Sequence, residues 1–300
     1  MKYRQLKKVL ATVLSVVMLC SLVAVVPAPI QAADDTRFLD GIDMSGAFVG
    51  NYVDPDSDYL TYLHDKYSGT TDFAVSTPGE LAAIAEFVNN GGGDFSGKTI
   101  RLNNDVDLGG SGLTFAKNPA SGGTSYTLEI SGTAQNVWQP IGSSDTTPFR
   151  GDFDGQGYEV RNMVVLEKSA SSDVYAGFFG YVDGGSISNL GIGTGSYVAV
   201  STSSSSSAAV AAAGGIAGYS SSSSSINNSY NTGLVSSFSS SNAYAGGIAG
   251  RSSSSSINNS YNTGSVSSSS SAVAAAGGIA GYSSSNANQG LKLALKISKK

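Results

Sequence analysis

The stretch AGGIAGYSSSSSSINNSYNTG at residues 213–233 returns as AGGIAGRSSSSSINNSYNTG at residues 245–264 and starts again at Ala276. A near-copy at a fixed interval marks a stacked architecture, in which each unit can bury its apolar side only against the next. The interval extends upstream. Gly180, Gly218, Gly250 and Gly281 are 38, 32 and 31 residues apart, and Ile187, Ile226 and Ile257 are 39 and 31 apart. Each unit reads as a Gly-rich strand with one branched residue (Ile216, Ile248, Ile279), a serine corner, a strand led by Ile226 or Ile257, and a Thr-Gly turn before Val235 or Val266. Short strands between turn signals, repeated at this interval, predict an all-β chain: a right-handed parallel β-helix, or β-solenoid, whose coils hydrogen-bond one to the next. An antiparallel sandwich is the alternative, and regular repetition argues against it.

Within the repeat, alternation along a strand puts Asn228 and Tyr230 on the side of Ile226, so both are expected inside. There they would align with Asn259 and Tyr261 as ladders of identical side chains. The other reading of these tyrosines is an aromatic surface for glycans. The serine tracts at 203–207, 220–225 and 252–256 have linker-like composition, but their phase with the repeat makes them corners. Arg251 stands where Tyr219 and Tyr282 stand in the neighbouring units, and it is the only charge between Thr202 and Gly290.

Upstream, Thr77-Pro-Gly-Glu80 has the form of a capping box with proline at the first helical position, which predicts a helix over 78–90. Leu81, Ile84, Ala85 and Val88 give it an apolar side suited to covering the open end of a stack. Alternation then predicts strands at 98–102 and 105–108, with Ile100, Leu102, Val106 and Leu108 inward and Asp105 and Asp107 outward. Trp138, Phe149 and Phe153 are large apolar anchors, and Asp154-Gly155 signals a tight turn. Residues 34–72 carry the weakest pattern and read as an acidic, tyrosine-rich lead-in. Two places have partial calcium-loop spacing: Asp54, Asp56 and Asp58, followed by Asp65, and Asp152 with Asp154. In the first, Tyr59 occupies the position that needs glycine, and in the second the remaining ligands are missing. A solvated loop and a strand turn are the better readings.

The succession of this helix, Gly97-Lys-Thr-Ile100, Asp105-Val-Asp-Leu108, Trp138-Gln-Pro-Ile-Gly142, Phe153-Asp-Gly-Gln-Gly157 and Ala176-Gly-Phe-Phe-Gly180 resembles the segment preceding GLUG repeats in bacterial extracellular proteins. The units at 213–233 and 245–264 resemble GLUG repeats themselves. The resemblance spans about residues 73–282 and implies a β-solenoid on a secreted protein of adhesin type. Some GLUG proteins are IgA-cleaving zinc metalloproteases. Those need His-Glu-x-x-His, whereas this chain has one histidine, His64, between Leu63 and Asp65.

Residues 1–33 combine a basic start, an apolar run from Val9 to Val26 and small residues before a cleavage point at Ala32 or Ala33, the pattern of a secretory signal peptide. An uncleaved membrane anchor is the alternative. Cys20, the single cysteine, lies in this run after Met18 and Leu19, a poor context for lipidation, so the mature chain is expected to lack thiols. Removing Lys2, Arg4, Lys7 and Lys8 leaves 13 basic against 22 acidic residues, a net charge near −9. An acidic body excludes nucleic acid as a partner class. After Ser285 the repeat gives way to a basic tail over 286–300, with Leu291, Leu293, Leu295 and Ile297 alternating. It reads as a capping strand, a membrane-surface peptide or, preferred for its abrupt composition, a truncated or frame-shifted end.

The domains expected are therefore a signal peptide at 1–33, a lead-in at 34–72, the first part of the solenoid at 73–200, Ser/Gly/Ala-rich repeats at 201–285 and the tail. The function expected is a non-catalytic secreted or cell-surface protein. It would present an adhesin-like binding surface to an extracellular host or cell-wall protein or glycan, and meet the membrane only through its signal segment. No catalytic, cofactor or metal-binding residue is assigned and no cofactor is expected. The alternative is a β-helix polysaccharide lyase or hydrolase drawing on Asp105, Asp107, Asp152, Asp154, Arg150 and Arg161. Two carboxylates converging with an arginine would favour it.

Overall fold

The computed structural model describes residues 38–119, 125–204, 206, 209–284 and 289–290. The signal peptide expected at 1–33, with Cys20, and the tail beyond Gly290 lie outside the described residues. The parallel β-solenoid expected from the repeat is what forms: strands recurring once per coil pair in parallel and in register with their counterparts.

Each full coil has five short strands, and the five ladders they build are called faces A to E. Face A stacks Val164–Ser169, Tyr197–Thr202, Leu234–Ser239 and Val266–Ser270. Face B stacks Val174–Ala176, Val210–Gly214, Asn242–Gly246 and Val273–Gly277. Face C stacks Phe179–Asp183, Ala217–Ser221, Ala249–Ser252 and Ala280–Ser283. Face D is the longest and starts earliest, running from Asp72–Val75 and Thr99–Leu102 through Asp152–Asp154, Ser186–Ser188, Ser225–Asn227 and Ser256–Asn258 to Gln289–Gly290. Face E stacks Val106–Asp107, Glu159–Arg161, Gly191–Ile192, Tyr230–Asn231 and Tyr261–Asn262. Ile187, Ile226 and Ile257 pair in one row of face D, and all three are buried in a core that continues from the first coil to Ile279.

One unit of the repeat differs from its sequence reading. The stretch read as a single Gly-rich strand is two strands, on faces B and C, joined by a corner at Gly215-Ile216 that points Ile216 into the core. Neighbouring corners also hydrogen-bond: the amides of Ile216 and Ala217 both donate to Ile248 O at 3.0 Å.

At the N-terminal end, helix α1 spans Ser57–Lys66 and helix α2 spans Pro78–Asn89. The capping box of α2 is formed, with Glu80 N donating to Thr77 Oγ1 at 3.2 Å and the Glu80 carboxylate accepting from Thr77 N at 3.0 Å. The helix joins the first two strands of face D and buries Leu81, Ile84, Phe87 and Val88 in the main core, so it closes that end. The Asn89 side chain fixes its far end, donating to Pro140 O and accepting from Ser143 N, both at 3.0 Å.

The lead-in at 34–72 is more ordered than its sequence suggests. Asp56 is the N-cap of α1, accepting from the amides of Asp58 and Tyr59 at 2.9 Å, so the alternating aspartates start a helix where a loop was expected. A separate four-stranded sheet covers the outer side of face A: Phe38–Asp43 and Ala47–Val49 run parallel to Ser125–Gln135, which pairs antiparallel with Ser111–Pro119. Met44, Ala47, Ile130 and Ala134 pack there against Val164, Leu166, Tyr197 and Ala199. The Lys168 ammonium donates to the carbonyls of Met44 and Ala47 and pins the sheet in place.

Candidate functional site

The six residues weighed as catalytic candidates do not gather at one place. Asp152 and Asp154 lie on face D, where Asp154 accepts from Gln156 N and the Asn189 amide at 2.9 Å and so closes the expected turn. Arg150 is tied to Asp94 and Asp183 at the corner beside face C. Asp107 accepts two hydrogen bonds from the Asn162 amide and one from Gly109 N. Among the described residues, no group of three or more His, Cys, Asp or Glu is placed to hold a metal ion. His64 is on the exposed side of α1, edge-on to Phe87 at 5.0 Å.

Two of the six do meet. On the outer side of face E, Arg161 bonds Asp105 and Glu159, each at 2.7 Å, and the Glu159 carboxylate also accepts the Tyr230 hydroxyl. Gly191 makes this possible. It pairs with both Glu159 and Tyr230, and a methyl group there would fall 2.5 Å from the Tyr230 ring, so only glycine lets the phenol cross one coil to the carboxylate. Tyr230 stacks in turn on Tyr261, with ring centroids 5.1 Å apart and planes 8° from parallel. Hydrogen bonds from Tyr230 and then Arg161 hold the Glu159 carboxyl below the usual carboxylate range, while burial and that same carboxylate push the Tyr230 phenol up.

Tyr230 and Tyr261 are thus outside the solenoid, contrary to the alternation argument; Tyr261 is 46% exposed. The reason is Asn228. It and its counterparts Asn189 and Asn259 have φ of 50°, 53° and 49°, a left-handed bend between faces D and E that breaks the period-2 count begun at Ile226. The tyrosines align as expected, but the inward ladder is made by other asparagines, Asn231 donating to Asn262 at 2.8 Å across face E, while Asn258 donates to Asn227 at 3.1 Å on the outer side of face D.

A second constellation lies along the corner of faces B and C. Gly218, Gly250 and Gly281 bring the two faces together: methyl groups on them would fall 2.3, 2.6 and 2.6 Å from the backbone nitrogens of Ala176, Ala213 and Ala245. Outside this junction Tyr175 and Tyr244 of face B approach Tyr181, Tyr219, Arg251 and Tyr282 of face C. Tyr175 lies 5.4 Å from both Tyr181 and Tyr219, which are 4.8 Å apart, and Tyr244 lies 5.0 Å from Tyr282. The Arg251 guanidinium sits over the Tyr219 ring at 4.8 Å and the Tyr282 ring at 5.6 Å. The result is a seam of partly exposed rings, broken at one position by the Arg251 guanidinium, across four successive coils. Burial pushes the Tyr175 and Tyr181 phenols up, so the rings stay neutral.

The seam was not singled out from the sequence, although its key was visible: Tyr219, Arg251 and Tyr282 hold one repeat position. What the sequence withheld was the split of the Gly-rich stretch into two faces, which brings Tyr175 and Tyr244 to the same line. Compared with known proteins, the chain matches no family model, no curated protein and no solved structure.

Proposed function

We propose that this protein is a non-catalytic scaffold, secreted or displayed at the cell surface, that binds an extended carbohydrate along the tyrosine seam of faces B and C. The seam is the observation that carries the proposal. Aromatic rings stacked along the coils offer apolar surface to the C–H faces of successive sugar rings. A stack of coils repeats these contacts at a fixed rise of about 4.8 Å, which suits a polymer better than a compact ligand. The likeness of the motif order to GLUG-repeat proteins supports an extracellular, adhesin-like role, and the leader-like residues 1–33 support export.

The test is retention on insoluble polysaccharides, comparing the unaltered protein with Tyr219→Leu/Tyr282→Leu, whose fold is checked by far-UV circular dichroism. Retention that falls at least tenfold in the folded double variant is expected. Equal retention, or no retention of either protein on any polysaccharide, would refute the reading.

A polysaccharide lyase or hydrolase is the second reading, favoured by Asp105 and Glu159 meeting at Arg161. Against it, both carboxylates are already engaged, and Glu159 is held ionised, the wrong state for a general acid. Release of unsaturated or reducing ends that Glu159→Gln abolishes would establish this reading over the first.

A further inference from the structure

We infer that the carbohydrate bound along the seam is anionic, and that Arg251 receives its carboxylate or sulfate group. This rests on the glycan-binding reading above and narrows it. Three observations lead to it. First, Arg251 replaces the tyrosine found at its position in the coils on either side, Tyr219 and Tyr282, and keeps their stacking. Second, it is the only charged residue from Gly184 to Gly290, and among the described residues no carboxylate pairs with it; the ion pairs found among them lie between Asp72 and Asp183. Third, its Nε is buried without a hydrogen-bond partner, so the side chain is partly desolvated with no counterion.

Desolvating a cation without a partner costs free energy, and the repeat offers tyrosine as an alternative at that position. A guanidinium between two rings has its planar fork oriented by the stacking, which favours a bidentate acceptor with a flat or trigonal arrangement of oxygens. The charges nearest the rest of the seam are acidic and lie towards its start. Asp173 accepts the Tyr175 hydroxyl at 2.9 Å, Asp183 is bound to Arg150, and Asp145 and Asp183 bear on the Tyr181 phenol. An anionic polymer is therefore repelled near Tyr175 and Tyr181 and drawn towards Arg251, which fixes its register on the seam.

The experiment measures binding of the full chain to polygalacturonate, to the same polymer fully methyl-esterified, and to dextran sulfate with dextran as its neutral control. The variant is Arg251→Tyr, which completes the run of rings and preserves the stack. The unaltered protein should bind an acidic polymer about 10- to 100-fold more tightly than its neutral counterpart, the worth of a charge-assisted pair. Arg251→Tyr should abolish that preference while still binding the neutral form. Preference for polygalacturonate identifies a carboxylate and preference for dextran sulfate a sulfate ester; either supports the inference. Equal binding of acidic and neutral polymers, or a preference that survives in Arg251→Tyr, overturns it and leaves the carbohydrate reading standing. Failure to bind any of the four overturns both.

Discussion

In the first coils the interior is filled by rings. Trp138 stacks on Phe178 with centroids 5.2 Å apart and planes 5° from parallel, and Phe149 and Phe153 pack against Phe179 at 4.9 and 5.4 Å. In the later coils faces A and B close on each other with alanine and serine: the Ser237 hydroxyl donates to Ala211 O at 2.8 Å, and Ser268 repeats the bond to Ala243 O at 2.9 Å. Buried apolar volume thus holds the start of the stack, while close backbone approach and a ladder of small polar bonds hold its continuation. The same ladder pattern accommodates both, because parallel strand pairing constrains the backbone and leaves the interior free to be wide or narrow.

The comparison can be broken hardest at Trp138, which is fully buried and donates from its indole nitrogen to Phe178 O at 3.0 Å. Trp138→Ala is expected to cost about 3–5 kcal/mol through lost packing, since Phe178 O keeps its bond from Ile141 N at 3.1 Å. Urea denaturation followed by circular dichroism measures this, and a loss under 1 kcal/mol would show that ring burial does not anchor the first coils. In the later coils the matching break is a methyl group where backbones touch. Gly250→Ala should cost about 1–3 kcal/mol through overpacking, while Gly278→Ala, with nothing within 4 Å of its added carbon, should be neutral. Equal effects of the two would mean the close approach of faces B and C is not what closes the repeat.

A third measurement probes the boundary between the two regimes. Glu167 shares its row of face A with Val200 and Ser237, both buried, and burial pushes its carboxyl up to about 7. A carboxyl with a raised folded value favours the fold while protonated, so its contribution is fully present below its unfolded value of about 4.3 and is lost as pH rises through about 7. Glu167→Gln should remove that slope and stabilise the protein at pH 8 by about 2 kcal/mol, allowing for partial contact with water. Melting temperatures at pH 4 and pH 8 report it; an unchanged slope in the variant would place Glu167 in water. The smallest effect is expected on face E. Arg161→Met should cost less stability than Trp138→Ala or Gly250→Ala, because the guanidinium and Asp105 are exposed and such pairs contribute little. A larger loss in thermal denaturation would give the ion-pair cluster a structural share comparable to the rings.

How far the sequence could be read depended on whether neighbouring residues reset the count. Ile187, Ile226 and Ile257 stayed in register because the strands that carry them pair residue for residue while coil length varies between strands. The capping box of α2 was legible because its four residues satisfy each other locally. Helix α1 was not, since Leu63 is its only buried residue and its polar sequence carries little periodic signal. The orientation of Tyr230 and Tyr261 was lost at a single left-handed asparagine. The tyrosine seam was hidden for another reason: its members come from two strands whose junction, Gly215-Ile216, looks in sequence like strand interior.

Because a coil touches only the coils before and after it, duplicating one 31-residue unit would insert new contacts without disturbing the old ones. Each such duplication would lengthen the seam by about 4.8 Å and add one more position at which tyrosine or arginine could be chosen. Descendants of this chain could thus change the length and charge spacing of the seam by unequal recombination between near-identical repeats.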